Sequence, residues 1–173
     1  MTNFWLGLLY SYAGRYDESI QQMEKVLDLD PDEFHAYYFL AENYIFKEMY
    51  QKAISYADTA LSIGYYTQND LPTLAHVGWI YAKAGKPDKA KKILENLFEL
   101  SNEKIVDPIR FAFIYAGLGD KEEAFNWLSK GVEERSGHSI YLKGYADWIF
   151  KDIRSDPRYD ELLRKIGFKV IER

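Results

Sequence analysis

The sequence predicts an all-α protein built as a solenoid of about four helix–turn–helix units, followed by capping helices. Three observations predict this fold class. Four tyrosines recur at nearly constant spacing, and small and apolar residues keep constant offsets from each of them. No alternating apolar run bounded by hairpin turns indicates a strand. The 173 residues amount to one domain or a short repeat array.

The repeat is carried by the tyrosine column Tyr10, Tyr44, Tyr81 and Tyr115, whose separations are 34, 37 and 34 residues. The residue three before each tyrosine is small, the residue four before it is apolar, and the residue nine after it is small. These columns hold, in that order, Gly7, Ala41, Gly78 and Ala112; Leu6, Leu40, Val77 and Phe111; and Ser19, Ala53, Ala90 and Ala124. A small residue allows two helix backbones to approach closely, so the columns indicate packed helices.

Turn signals place the helix ends. Gly14, Gly85 and Gly119 are expected to end first helices in the left-handed conformation, and Asp120 with Glu123 resembles a capping box. The second unit has no glycine at its turn, residues 47–50. Apolar residues at helical spacing continue into the second helices. The predicted helices span residues 3–13, 16–29, 33–47, 50–62, 70–84, 87–100, 106–117 and 121–134.

A unit of about 34 residues with Leu-Gly-x-x-Tyr, a later small residue and a final Pro resembles the tetratricopeptide repeat. Residues 6–31 fit best, although Asn3 stands where the family often has Trp. The second unit is expanded by three residues around positions 64–69. The resemblance implies a right-handed α-solenoid of four repeats over 1–136, at about 1–33, 34–70, 71–104 and 105–136.

The order of residues 108–135 and 153–163 is also similar to repeat segments that end bacterial signalling proteins of the serine/threonine kinase, adenylate cyclase or winged-helix regulator type. Residues 137–173 are expected to form a terminal cap, because a solenoid needs an end with one polar face. Asp156 is expected to cap a helix that starts at Pro157, and Gly167 to end it. Trp148, Ile149 and Ile153 are expected to pack beneath that helix.

Composition and motifs argue against catalysis, metal binding and nucleic-acid binding. The net charge is −5, there is no cysteine, and no apolar run reaches the length of a membrane helix. The acidic turn at residues 28–32 lacks the ligand pattern of a calcium loop, and Gly85-Lys86 is not a phosphate loop. The three histidines are far apart and are expected at the surface. No catalytic residue, cofactor or metal is therefore predicted, and a cytoplasmic location is expected.

A binding groove is expected on the concave side, which the first helix of each unit lines. Rotation along these helices by about 100° per residue selects the candidates Phe4, Leu8, Tyr12, Tyr38, Glu42, Phe46, Trp79, Lys83, Ile109 and Phe113. Aromatic anchors dominate such contacts, yet the same residues could instead fill the inside of a tightly curved array. Some repeat domains of this kind clamp the C-terminal carboxylate of a partner with cationic side chains. No cation is expected at those positions here, so the acidic C-terminal tail of another protein is not expected as a ligand.

The favoured function is a non-catalytic scaffold that binds a peptide or protein segment of unknown identity in this groove. The alternative is a regulatory segment of a larger kinase, adenylate cyclase or transcriptional regulator that packs against its own effector domain. The first helix is very apolar, and its outer side is expected to need a cover. This indicates either a fragment of a longer protein or a homo-oligomer that pairs through this helix.

Overall fold

A computed structural model of the chain describes residues 2–65, 70–144 and 148–170. Within these ranges the chain forms nine α-helices and one 3₁₀ helix, with no strand. The α-helices are α1 (Thr2–Tyr12), α2 (Tyr16–Leu29), α3 (Phe34–Phe46), α4 (Tyr50–Tyr65), α5 (Leu71–Lys83), α6 (Pro87–Ser101), α7 (Pro108–Leu118), α8 (Lys121–Glu133) and α9 (Pro157–Lys165). The 3₁₀ helix spans Gly137–Leu142. The expanded segment of the second unit lies partly outside the described residues, at positions 66–69.

Helix ends follow the predicted turn chemistry. Gly14, Gly85 and Gly119 all have φ between 72° and 79°, the left-handed conformation that favours glycine. The glycine-free second unit turns through Glu48, whose φ is 57°. Asp120 accepts a hydrogen bond from the Glu123 amide, which supplies one half of the expected capping box.

Consecutive helices pack as antiparallel pairs, and the pairs stack into an α-solenoid. The small columns lie at these contacts and are buried. A Cβ placed on Gly78 would stand 2.5 Å from the Cδ1 of Ile114, so α5 and α7 approach too closely for a larger residue without displacement. At the other small column, the Asn43 side-chain amide donates to the Ser19 hydroxyl at 2.9 Å, which ties α3 to α2.

The C-terminal residues cover the last helical pair. Asp156 accepts from the Arg158 amide and Gly167 has φ of 96°, as expected for the start and end of α9. The wholly buried Tyr159 donates its hydroxyl to the Leu142 carbonyl at 2.7 Å and so joins α9 to the 3₁₀ helix. Leu162 and Leu163 are buried against the array, while charged residues occupy the outer side of α9.

Candidate functional site

A cavity of about 770 Å³ opens on the concave side along the amino-terminal ends of the first helices, and we refer to it as the amino-terminal cavity. Ligand sites commonly have volumes of about 300–1,000 Å³. The first helices supply most of its wall, and the end of α2 and the loop before α3 complete the rim. Its lining is mainly aromatic and aliphatic and includes Phe4, Trp5, Leu8, Tyr12, Leu29, Tyr38, Phe39, Pro72 and Phe113.

Five of the ten sequence-predicted groove residues line this cavity: Phe4, Leu8, Tyr12, Tyr38 and Phe113. The other five lie elsewhere. Glu42 and Ile109 are buried, at 0% and 2% exposure, and neither lines this cavity. Phe46, Trp79 and Lys83 line a second, smaller recess of about 270 Å³. The structure therefore brings the predicted residues together as two separate sets, and their role in binding stays a prediction.

The C-terminal segment 148–153 lies with the second set, because it packs on the carboxyl-terminal ends of α3 and α5. Trp148 packs against Phe46 and Trp79, with ring centroids 5.2 and 5.8 Å apart. Asp152 pairs with the Lys83 ammonium at 2.7 Å. Trp148 was expected beneath α9, and its place in the groove corrects that expectation. As a result, the amino-terminal cavity is the larger open part of the concave surface.

Edge-to-face and stacked rings hold the cavity wall in place. Phe4 of α1 meets Phe39 of α3 edge-to-face, with centroids 5.6 Å apart. The ring of His76 stacks on Tyr38 at 4.5 Å and takes the edge of Phe113 at 5.3 Å. Each ring contact joins neighbouring first helices, so the wall is preformed rather than assembled by a ligand.

His76 also forms a buried hydrogen bond between its Nδ1 and the Oε1 of Glu42. Burial raises the pKa of Glu42 well above its ordinary value. Burial, aided by the positive charges of Arg110, His35 and His138, lowers the pKa of His76 to about 3. Both shifts favour a neutral pair, in which the protonated Glu42 carboxyl donates to the imidazole. The second oxygen, Oε2, is buried with no hydrogen-bond partner among the described residues, and a neutral carboxyl tolerates this better than a carboxylate does.

This pair corrects two expectations from the sequence. His76 was expected at the surface and is 3% exposed. Glu42 was expected to line the groove, but it lies wholly buried beneath it. A polar residue at each of these positions is accommodated because the Nδ1 of His76 and the Oε1 of Glu42 pair with each other.

Polar groups gather at the cavity rim. His138 lies 2.6 Å from a carboxylate oxygen of Asp107, and Ser136 donates to the same oxygen. Burial alone would raise the pKa of Asp107, but the hydrogen bonds from His138, Ser136 and the Ile109 amide outweigh it and lower the pKa. Arg110 lines the cavity beside His138, with 3.3 Å between the Nη2 and Nε2 atoms.

Arg110 is a cation that lines the cavity and was not among the sequence-predicted groove residues, whose cation was Lys83. Four lining residues outside the predicted set share one column, five positions before each repeat tyrosine: Trp5, Phe39, His76 and Arg110. The sequence prediction used neighbouring columns in the later units and so passed over this one.

Among the residues that the structure describes, no three His, Asp or Glu side chains come close enough to hold a metal ion. Every described helix is too short or too polar to span a bilayer.

The fold and the concave cavity define a helical-repeat solenoid. A family model for the tetratricopeptide repeat matches residues 2–33, and a second model of that description matches 34–63 and 71–104. The chain belongs to the tetratricopeptide repeat family. These matches cover the first three predicted units, and the boundaries of the fourth unit, 105–136, stay a prediction.

Two solved structures share the fold. One is a Podosopora anserina chain described as a kinesin light chain with nearly identical TPR-like repeats. The alignment covers 95% of this chain and 92% of that chain, at 18% identity and a TM-score of 0.56. The chain also resembles YrrB, described as a TPR protein with an unusual peptide-binding site, at 23% identity and a TM-score of 0.50, covering 94% of this chain and 82% of YrrB. No curated protein matches the sequence significantly.

Proposed function

We propose that the chain is a non-catalytic interaction module whose amino-terminal cavity binds a peptide or protein segment through a bulky apolar side chain. The single observation that carries this proposal is the open, preformed cavity of about 770 Å³ walled by aromatic rings. Proteins of this family bind protein or peptide partners, and YrrB is described as having a peptide-binding site.

Burial of apolar surface supplies the affinity in this proposal. Phe4, Tyr38 and Phe113 are held by ring contacts, so they lose little conformational freedom when a ligand side chain enters. Aromatic anchors of this kind contribute about 2 kcal/mol or more each when truncated. The rim adds specificity, because Arg110 and the pair formed by Glu33 and His35 can each contact ligand polar groups.

The proposal extends to the organisation of the chain. We propose four repeats over residues 1–136 and a cap over 137–173, in a cytoplasmic protein that acts as a scaffold. We also propose the apolar face of α1 as a second contact surface. The resemblance to signalling-protein segments and the regulatory alternative stay predictions.

Selection of binding peptides tests the cavity directly. Random peptides displayed on phage are selected on the immobilised chain, and the Kd of each synthetic winner is measured by fluorescence anisotropy. Leu29→Asp changes a rim residue that is 80% exposed, so the fold tolerates it, and we expect affinity to fall at least tenfold. The matched control Ile105→Asp changes a residue that is 97% exposed and lies outside the cavity.

Two results contradict the proposal. One is the recovery of no binding peptide from a diverse library. The other is an equal Kd for the wild type, Leu29→Asp and Ile105→Asp with every selected peptide, because binding would then lie outside the cavity.

A further inference from the structure

One side of α1 exposes large apolar side chains. Trp5 and Leu9, one helical turn apart, are 62% and 63% exposed. The helix has the sequence TNFWLGLLYSY and contains no charged residue. An exposed apolar surface that is continuous along a helix is typical of an interaction site, whereas scattered apolar residues are not.

The repeat register identifies what kind of surface this is. Trp5 and Leu9 stand five and one positions before the repeat tyrosine. The equivalent residues of α3 are Phe39 and Asn43, at 3% and 0% exposure. Those of α5 are His76 and Ile80, at 3% and 0%. The positions that α1 exposes are therefore buried in the next two repeats.

In the second repeat both positions contact the preceding unit, and in the third His76 contacts Glu42 and Tyr38 of α3. Phe39 meets Phe4 of α1, and Asn43 bonds to Ser19 of α2. In the fourth unit the equivalent of Leu9 is Ile114, which packs on Gly78 of α5. The exposed side of α1 thus has the chemistry of a repeat-stacking surface, and its complement is another helix face of small and apolar residues.

The opposite end of the array does not offer that complement. There α9 covers the last helical pair and turns Glu161, Arg164 and Lys165 to solvent. Head-to-tail stacking of copies would bury these charges against Leu9 and Trp5, at a large desolvation cost. A surface that meets its own equivalent across a two-fold axis avoids this cost, because α1 carries no charge to repel its copy.

We propose that two copies of the chain pair through α1, with the two α1 helices packed against each other across a two-fold axis. Trp5, Leu9, Tyr12 and Leu29 together expose on the order of 500 Å² per copy, so the pair buries roughly 1,000 Å², the lower limit for a specific interface. The pairing identifies the partner of the α1 surface proposed above as a second copy of the chain. It rests on that part of the proposed function and not on peptide binding by the cavity. Because Trp5, Tyr12 and Leu29 also line the cavity, the mouths of the two cavities come to lie side by side, and Leu9 is the residue of this face that lies outside the cavity lining.

Sedimentation velocity on the full chain tests the pairing. Over concentrations up to about 200 μM, which populate an interface with a micromolar Kd, we expect the wild type to shift from monomer to dimer and no further. Leu9→Glu places a charge at the centre of the face without altering the cavity lining, and it should remain monomeric throughout. The control Ile105→Glu changes an isolated exposed residue and should dimerise like the wild type.

Three results would overturn the pairing. A wild type that stays monomeric would assign the face to another protein or to a further segment of a longer chain. Species larger than a dimer would indicate head-to-tail stacking instead. A Leu9→Glu variant that dimerises, with a helical circular dichroism spectrum like that of the wild type, would place the interface elsewhere. Peptide affinity of the Leu9→Glu monomer is measured separately, so loss of pairing and loss of peptide binding are distinguished.

Discussion

The buried pair of Glu42 and His76 gives a quantitative prediction about stability and pH. In the folded chain burial raises the pKa of Glu42 well above 4.5, and the pKa of His76 falls from 6.5 to about 3. Above pH 4.5 unfolding releases the Glu42 proton, so the free energy of unfolding falls as pH rises, by about 1.4 kcal/mol per pH unit. Between pH 3 and 6.5 His76 takes up a proton when the chain unfolds, so its contribution makes the free energy of unfolding rise with pH.

The two effects cancel in the wild type between about pH 4.5 and 6.5, and the Glu42 effect stands alone above pH 6.5. The variant Glu42→Gln isolates it. A glutamine amide can donate to the His76 imidazole as the protonated carboxyl does, but it does not titrate. We expect the free energy of unfolding of Glu42→Gln, minus that of the wild type, to rise by about 1.4 kcal/mol per pH unit above pH 4.5. The rise should level off at the folded pKa of Glu42.

Urea denaturation followed by circular dichroism at half-unit intervals from pH 4.5 to 8 measures this difference. Glu95→Gln, on the exposed side of α6, removes one carboxylate without touching the pair and controls for the change in net charge. A difference between Glu42→Gln and the wild type that is constant over this range would refute the reasoning. Glu42 would then gain or lose no proton on unfolding, which is incompatible with a protonated carboxyl in the core.

Three further predictions concern packing and caps. Gly78→Ala should lower the free energy of unfolding by about 1–3 kcal/mol, because its new Cβ meets Ile114. A double-mutant cycle with Ile114→Val should show non-additive changes in that free energy, and additive changes would contradict a direct contact. Trp148→Ala should lower the free energy of unfolding by about 3 kcal/mol, because it removes ring packing on Phe46 and Trp79. Lys83→Ala breaks a partly exposed ion pair nearby and should lower it by less than about 1 kcal/mol. Equal losses of stability in thermal denaturation would contradict this ranking. Asp107→Ala removes the α7 cap and its hydrogen bond to Ser136 before the 3₁₀ helix, and it should lower the free energy of unfolding by about 1–2 kcal/mol. Urea denaturation measures this change, and an unchanged midpoint would contradict it.

Much of the fold was predictable because its signals are local. Gly85 with Pro87, and Asp156 with Pro157, mark helix ends through backbone conformations that few other residues adopt or stabilise. All eight predicted repeat helices agree with the structure to within three residues at each end. Stacking of the pairs followed from the small columns, since the residue at Gly78 must be small for α5 and α7 to touch.

The candidate site was predictable only in part, because it depends on contacts between residues far apart in sequence. Lys83 meets Asp152 across 69 positions, and no local pattern indicates that the C-terminal segment enters the groove. Glu42 and His76 each resemble a surface residue when considered alone, and only their meeting across 34 positions makes burial favourable. Arg110 was within reach of sequence reasoning, because it continues the column that begins with Trp5.

The placement of residues 148–153 has a consequence for the width of ligand that the array can accommodate. In an open solenoid a ligand can reach the whole length of each first helix. Here the chain's own tail covers the carboxyl-terminal ends of α3 and α5, whereas the cavity still draws on all four first helices. A bound segment should therefore be slender, and removing a ligand side chain that points towards Trp148 should cost it little affinity.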